Sequence, residues 1–434
     1  MNKVMLAVPV MLTLSLALAG CDQKATLSQA QQSGPEPSLP KAQDFLIPPL
    51  QVPTGVGWTS GATPQVAPDL KIERIAGGLM HPRNVYTLPN GDILVAESNS
   101  PGEEPITTPK QVISGFIKNI PGKGRPGGNR ITLLRKAGDG WEKHTFIENL
   151  KSPFGIQLIG DSLYVSTADD IRRFPYQTGE THISTPGTVL ADLPDTINHH
   201  WTKAMEASAD GKKLYVGVGS NSNITENGLA VEYRRANVLE VDVATGASRI
   251  YASGLRNPSG LAINPQSGRL WAVVNERDEI GADLVPDYMT AVQDGGFYGW
   301  PWSYFGKHVD NRVQPPRPDM VAKAIKPDYA LGSHVAPLGI LFYTGSNLPQ
   351  KYRDGAFISE HGSFDRIPLS GYRVSFVAFK NGQPVGKPEM AVGGFVSKDE
   401  KSLYGAPVGL TQDKDGALIV ADDVGDSVWR VTAK

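Results

Sequence analysis

The stretches GLMHPRNVYTLPNGDILVAE (78–97) and GLRNPSGLAINPQSGRLWAVVNE (254–276) run in one frame: Gly-Leu, proline, an apolar strand, a glycine turn and a second apolar strand. Four weaker copies fit the same frame at 149–169, 198–221, 333–362 and 404–423. Their turns include PNGD, QSGR, ADGK and KDGA, which favour tight hairpins. Further strand-like runs follow several copies: RITLLR, NVLEVDV, YRVSFVAF and SVWRVT. Repeated four-stranded units of this size predict an all-β fold, a six-bladed β-propeller with four-stranded antiparallel blades spanning 70–434. The last run, SVWRVT, is expected to close the ring against sequence near Lys71–Ile75. The long insertions at 99–128 and 276–332 read as loops on one rim, the first with a short helix in TPKQVISGFIKN.

The frame also selects residues. The position before the recurring proline is His81, Ser152, His200, Asn257, Ala336 or Ala406, with Trp201 replacing proline in the third copy. The innermost strand of a blade begins near the central axis, so these six positions are expected at one height around a funnel. His199 and His200 are chain neighbours, and neighbours in extended chain face opposite sides. Register puts His200 on the ring and His199 beside it. A ring of polar, titratable groups in a concavity is a candidate site.

Bulk composition narrows the classes. The chain has 434 residues, 42 Lys+Arg against 44 Asp+Glu and a formal net charge of -2, which leaves no basic footprint for nucleic acid. Lys3 precedes the apolar run VMLAVPVMLTLSLALAG, a signal-peptide pattern rather than a lasting membrane span. The sequence LAGC ending at Cys21 resembles a bacterial lipobox, and Cys21 is the only cysteine, so no intrachain disulfide can form. This reading makes 1–20 a lipoprotein signal peptide. It makes 21–69 a flexible tether rich in Gln, Ser and Pro, carrying lipid on Cys21. Asp22 resembles an inner-membrane retention signal, which places the domain in the periplasm of a bacterial envelope.

Eight blocks carry a family resemblance: NRITLLR (129–135), NHHWTK (198–203), VGSNSNITENG (218–228), GLRNPSGLA (254–262), VNERDEIGADLVPDY (274–288), VQDGGFYGWPWSY (292–304), HGSFDRIPLSGY (361–372) and ADDVGDSVWRV (421–431). In this order they resemble the glucose/sorbosone dehydrogenase family, most closely its L-sorbosone dehydrogenase-like members, from about Ile72 to Thr432. The resemblance implies a quinoprotein that uses pyrroloquinoline quinone (PQQ) and Ca²⁺. Its substrate would be a sugar or aldehyde, and a membrane quinone or cytochrome would accept the electrons.

The resemblance also implies roles. His200 matches the catalytic histidine, whose imidazole would take the hydroxyl proton as hydride leaves. Arg256 and Asn257 match an Arg-Asn pair on the quinone and the developing anion. Arg366, Lys203 and His334 are candidate partners for the cofactor's carboxylates, guanidinium forks suiting carboxylates best. Calcium would sit on the NERDEIGAD loop, with Glu276 and the carbonyls of Arg277 and Asp278 as ligands. That loop also carries Glu279 and Asp283, and a solvated acidic loop is the alternative reading. Relatives often carry Arg where this chain has Ala406, which removes one potential cofactor cation. Trp300, Trp302 and Tyr304 would stack on a sugar or pack the core. Two other functions fit the same fold: a metal-dependent lactonase and a non-catalytic sugar-binding propeller.

Overall fold

The computed structural model describes residues 24–43, 51–102 and 127–434. The signal peptide, Cys21, Asp22 and the TPKQVISGFIKN segment lie outside the described residues.

Six antiparallel sheets form the six-bladed β-propeller. Blades 1 to 4 run from innermost to outermost strand in chain order. Their innermost strands are Pro82–Thr87, Ile156–Ile159, Met205–Ala207 and Pro258–Ile263. Blade 5 starts at Pro337–Phe342 and gains a fifth, outer strand from Gln65–Val66. Blade 6 takes three strands from the C-terminus, and Leu70–Gly77 supplies its outermost strand. Val431 pairs with Ile72 and Thr432 with Lys71, the closure expected from the sequence. The ring is thus fastened by hydrogen bonds between its two ends, and neither end can leave without exposing a sheet edge.

The core is six layers, one between each pair of neighbouring blades. The second strand of blade 4 shows why its sequence, LWAVV, is apolar throughout. Leu270, Ala272 and Val274 face the layer shared with blade 3, while Trp271 and Val273 face blade 5. A strand covered on both faces has no position left for water, so alternation disappears. Trp271 meets Phe342 and Phe379 edge-on at 6.1 and 5.1 Å.

Near the axis the inner strands crowd together, and glycine is the solution. A Cβ on Gly155 would lie 2.5 Å from Met205 Cβ, one on Gly339 2.5 Å from Val408 O, and one on Gly409 2.6 Å from Asn84 Cα. In each case the clash is with the innermost strand of the next blade. The recurring Pro-x-Gly of the repeats is therefore a close-approach device. In the third repeat that place falls to Lys203, which is fully buried.

Two expectations need correction. The 276–332 stretch is not only loop: it contains both outer strands of blade 4, Pro286–Ala291 and Tyr329–Ser333. Residues 24–43 and 51–69 are not free tether. A capping-box helical turn at Gln29–Gln32 lies against the blade 4 edge, where Gly34 and Ala330 exchange backbone hydrogen bonds of 2.9 Å. Trp58 packs on Phe395, Tyr404 and Trp429 and donates to Asp422 at 2.6 Å. These segments lack apolar periodicity because backbone and single side-chain contacts hold them, rather than one continuous apolar face.

Candidate active site

The ring positions occupy equivalent places. In blades 1, 4, 5 and 6 the carbonyl before the proline accepts an N–H from the end of the second strand. The pairs are His81–Ser98 (3.2 Å), Asn257–Asn275 (3.0 Å), Ala336–His361 (3.0 Å) and Ala406–Asp423 (3.2 Å). Side chains then link the blades around the axis. The Arg83 guanidinium lies 5.5 Å from the Trp201 ring. His200 joins Ser220, and the Ser220 N–H donates to Arg256 O at 2.8 Å. Arg256 reaches Asp278, Asp278 reaches His334, and on the far side His361, His81 and Arg83 converge on Asp423.

His200 is half-buried, and its Nδ1 lies 2.8 Å from Ser220 O, an oxygen that can only accept. Nδ1 therefore carries the proton and Nε2 keeps a lone pair. Among the described residues Nε2 has no hydrogen-bond partner. Burial, then His199, then Arg256 hold the imidazole pKa well below the ordinary value. The ring is neutral at pH 7 and ready to accept a proton. His199 is exposed and meets His200 edge-on at 4.6 Å.

The loop that delivers His200 is strained. Ile197 has φ 67° and Asn198 φ 47°, and a β-branched residue in the left-handed region is costly. Two buried cations hold it there. Lys203 Nζ donates to Asn198 Oδ1 (3.2 Å) and Trp201 O (3.0 Å). Arg235 donates to Pro194 O (2.9 Å), Thr196 O (3.0 Å) and Asn198 Oδ1 (3.0 Å). Lys203 thus braces the histidine loop.

Arg256 is 3 % exposed and engaged on nearly every side. Nε and Nη2 donate to Asn223 O (3.3 Å) and Oδ1 (3.1 Å), and Nη1 to Asn275 O (3.3 Å) and Glu276 O (2.6 Å). Only the remaining Nη2 hydrogen, 3.5 Å from Asp278 Oδ2, is held weakly enough to turn to a ligand. Asn257 is buried with Oδ1 unpaired, as is Arg83 Nε across the ring. A buried donor and a buried acceptor without partners mark a place for a ligand.

His334 is 4 % exposed, with Nδ1 3.2 Å from Asp278 Oδ1 and Nε2 3.0 Å from Gly281 O. Both nitrogens face acceptors, so both carry protons and the ring is an imidazolium. Burial opposes that charge, but the Asp278 carboxylate outweighs it and raises the pKa to about 9. Asp423, itself buried, is held far below the usual carboxylate range against the desolvation it suffers, by His361, His81 and Arg83.

Arg366, expected as a carboxylate partner, is turned to protein acceptors. It donates to Ala282 O (3.0 Å), Pro368 O (2.8 Å), Leu27 O (3.5 Å) and Asp283 Oδ1 (3.3 Å), which ties the N-terminal segment to the blade 4 loop. The residues expected to hold calcium make these contacts. Arg277 Nε and Nη2 donate to Asp278 O at 3.1 and 2.9 Å, and Asn223 Nδ2 adds a third bond at 3.2 Å. The Glu276 carboxyl turns inward, where burial raises its pKa to about 7. Among the described residues no three His, Cys, Asp or Glu side chains converge as metal ligands. Trp300 is buried and donates to Asn223 O at 3.0 Å, while Trp302 and Tyr304 are half-buried. Sequence reasoning missed Asn223, Arg235 and Asp423. Asn223 lies within the VGSNSNITENG block, and Asp423 follows a second strand as Asn275 and His361 do.

The fold and this axial ring define a propeller with one polar, charged funnel. The chain belongs to the TrAA12-like family, whose match covers residues 130–291 and 318–434. A "Pyrroloquinoline quinone-dependent sugar dehydrogenase" of Hypocrea jecorina is 25% identical over 325 residues, 63% of this chain and 72% of that protein. An aldose sugar dehydrogenase of Escherichia coli is 31% identical over 124 residues, 28% of this chain and 32% of that one. The Trichoderma reesei "Carbohydrate-Active Enzymes Family AA12" structure superposes with TM-score 0.70 at 21% identity, covering 89% of this chain and 99% of its own. A calcium form of it has also been solved, at TM-score 0.69, 21% identity and the same coverage. The PQQ domain of pyranose dehydrogenase from Coprinopsis cinerea, in holo form, gives TM-score 0.69 at 19% identity over 88% of this chain and all (100%) of that domain.

Proposed function

We propose that this chain is a PQQ-dependent dehydrogenase that oxidises a sugar or sugar-derived aldehyde, an aldose or a compound like L-sorbosone. The observation that carries the reading is the unpartnered Nε2 of a neutral His200, set in one ring with Arg256 and Asn257. The residues suit the cofactor. Arg83 Nε and Asn257 Oδ1 lack partners, and Arg256 and His334 supply positive charge to a flat anion. PQQ, when bound, supplies a quinone that accepts hydride from the substrate carbon. His200 Nε2 accepts the hydroxyl proton of an alcohol, lactol or aldehyde hydrate. Ser220 O holds the opposite nitrogen protonated, so the imidazolium that forms is stabilised where it stands. Arg256 and His334 favour negative charge developing beside them. A titration of the protein with PQQ, followed by dye reduction on a panel of aldoses and sorbosone, tests the reading. PQQ uptake with turnover that disappears in His200→Ala supports it; no turnover on any sugar or aldehyde counts against it.

The anchor and address belong to the same proposal. LAGC supports lipidation of Cys21 and a periplasm-facing domain that passes electrons to a membrane quinone or cytochrome. Cys21→Ser should release the protein from membranes.

A further inference from the structure

Resting on the lipid-anchor reading, we propose that the funnel mouth faces the membrane, with the loops around the mouth lying on the lipid headgroups. The first argument is the place where the anchored end of the chain meets the propeller. Only two residues separate Cys21 from Lys24, and a fully extended chain spans at most about 11 Å between their Cα atoms. The chain then binds the rim at once. Ala25 N donates to Ile367 O at 2.7 Å, and Thr26 N and Leu27 N donate to Asp283 at 2.6 and 3.1 Å. Later contacts keep to the same rim: Gln43 N to Ile280 O at 3.0 Å, Gln51 N to Phe364 O at 2.9 Å and Trp58 to Asp422. These acceptors lie on the loops between second and third strands in blades 4 and 5, and at the end of the second strand in blade 6. That is the end of the propeller where His200 and Asn257 stand. A lipid on Cys21 therefore holds the mouth, and not the opposite end, close to the bilayer.

The second argument is the distribution of exposed apolar side chains. Val56, Met80, Leu229, Tyr233 and Val309 are exposed around the mouth, on the N-terminal segment and on blades 1, 3 and 4. Tyr233, 79% exposed, follows the helical turn Leu229–Glu232 in the blade 3 loop that also carries Asn223. Val309, 51% exposed, is held at the mouth because its neighbour Asp310 pairs with Arg277 and Arg312 donates to Glu279 O at 3.3 Å. The other exposed large apolar residues among those described stand on the fourth strands of blades 2, 3 and 5. The hairpins at the opposite end expose polar residues such as Asp210, Lys212, Gln266 and Lys414. A tyrosine with aliphatic neighbours suits the headgroup boundary, where an apolar body and a polar tip are both satisfied. Each such contact adds to the anchor and fixes the tilt of the domain.

In this orientation a small sugar enters sideways, between the rim and the headgroups. An acceptor dissolved in the bilayer meets the same opening without the domain having to turn.

The test uses the chain from Cys21 onward, coupled through its single thiol to a maleimide lipid in phosphatidylcholine vesicles, so that it does not depend on lipidation in the cell. Hydrogen exchange on the vesicles is compared with that of the free protein. Peptides covering 224–234 and 305–312 should exchange several-fold more slowly on the vesicles, and the hairpins 208–212, 264–269 and 413–417 should be unchanged. The double variant Leu229→Asp, Tyr233→Asp alters two exposed positions; checked for unchanged thermal unfolding, it should lose the protection of 224–234. Protection of the hairpins instead, equal exchange throughout or full protection in the double variant would overturn the proposal. The same protection in concentrated free protein would also overturn it, by marking the mouth as a contact between two copies of the chain. A cell-derived protein whose Cys21 carries no lipid by mass spectrometry would count against the anchor reading alone.

Discussion

At His200 a single hydrogen bond decides the chemistry. Ser220 O fixes the proton on Nδ1, and burial keeps the ring neutral. The groups that shift it are His199 and Arg256, which lower its pKa, and the Ser220 carbonyl and Asp278, which raise it. The base must be unprotonated to act, so kcat/KM should rise with pH along a limb centred below 6.5 and be level at neutral pH. A pH profile of kcat/KM checks this; a limb centred above 7 would contradict it. The same shift makes a stability statement. The unfolded chain binds this proton more readily than the native one, so the contribution is present at neutral pH and lost as pH falls below about 6.5. His200→Ala should lower kcat about 10²- to 10⁴-fold, the range for a general base. His200 was legible from its frame and its motif. The acceptors that Lys203 and Arg366 meet were not legible, because the presence of a cation in a sequence does not reveal which acceptors its long stem will reach.

At the scale of elements, the end of blade 3's second strand and the start of blade 4 approach so closely that only glycine fits between them. A Cβ on Gly219 would stand 2.5 Å from His200 Cβ and closer still to Asn257 Oδ1. Gly219→Ala should therefore push both ring residues outward. We expect a stability loss of about 1–3 kcal/mol, typical of overpacking, and a fall in kcat of about 10²-fold, typical of a small misplacement. Thermal unfolding and steady-state kinetics together read the two effects; unchanged kcat would contradict the placement. The strained turn Ile197–Asn198 belongs to the same element. Its bracing by Lys203 and Arg235 could not be read from sequence, since the two cations are apart in the chain and meet at Asn198 Oδ1.

At the scale of the molecule, the N-terminal segment is part of the propeller's working rim. Asp283 joins it to Arg366 and to the blade 4 loop that carries Asp278. Asp283 and Arg366 side chains are only 7% and 8% exposed, so removing one leaves a buried, uncompensated partner. Asp283→Ala should cost about 3–5 kcal/mol by chemical denaturation, against a near-neutral change expected of a free tether.

The sequence by itself determined the number of blades, the strand closure and the ring of positions at the axis, because a repeated frame of proline, apolar strand and glycine turn is a local pattern that a linear chain displays. The repeat frame set His200 and Asn257 among the ring positions, and the family resemblance pointed to Arg256 beside them. Only the tertiary structure decided which charges face one another. The Asp278–His334 imidazolium, the Asp423 cluster, the Asn223 hub and the docking of residues 24–34 all join segments distant in the chain. Their physical basis is the matching of donors to acceptors in a buried space, which no spacing of residues along one strand encodes.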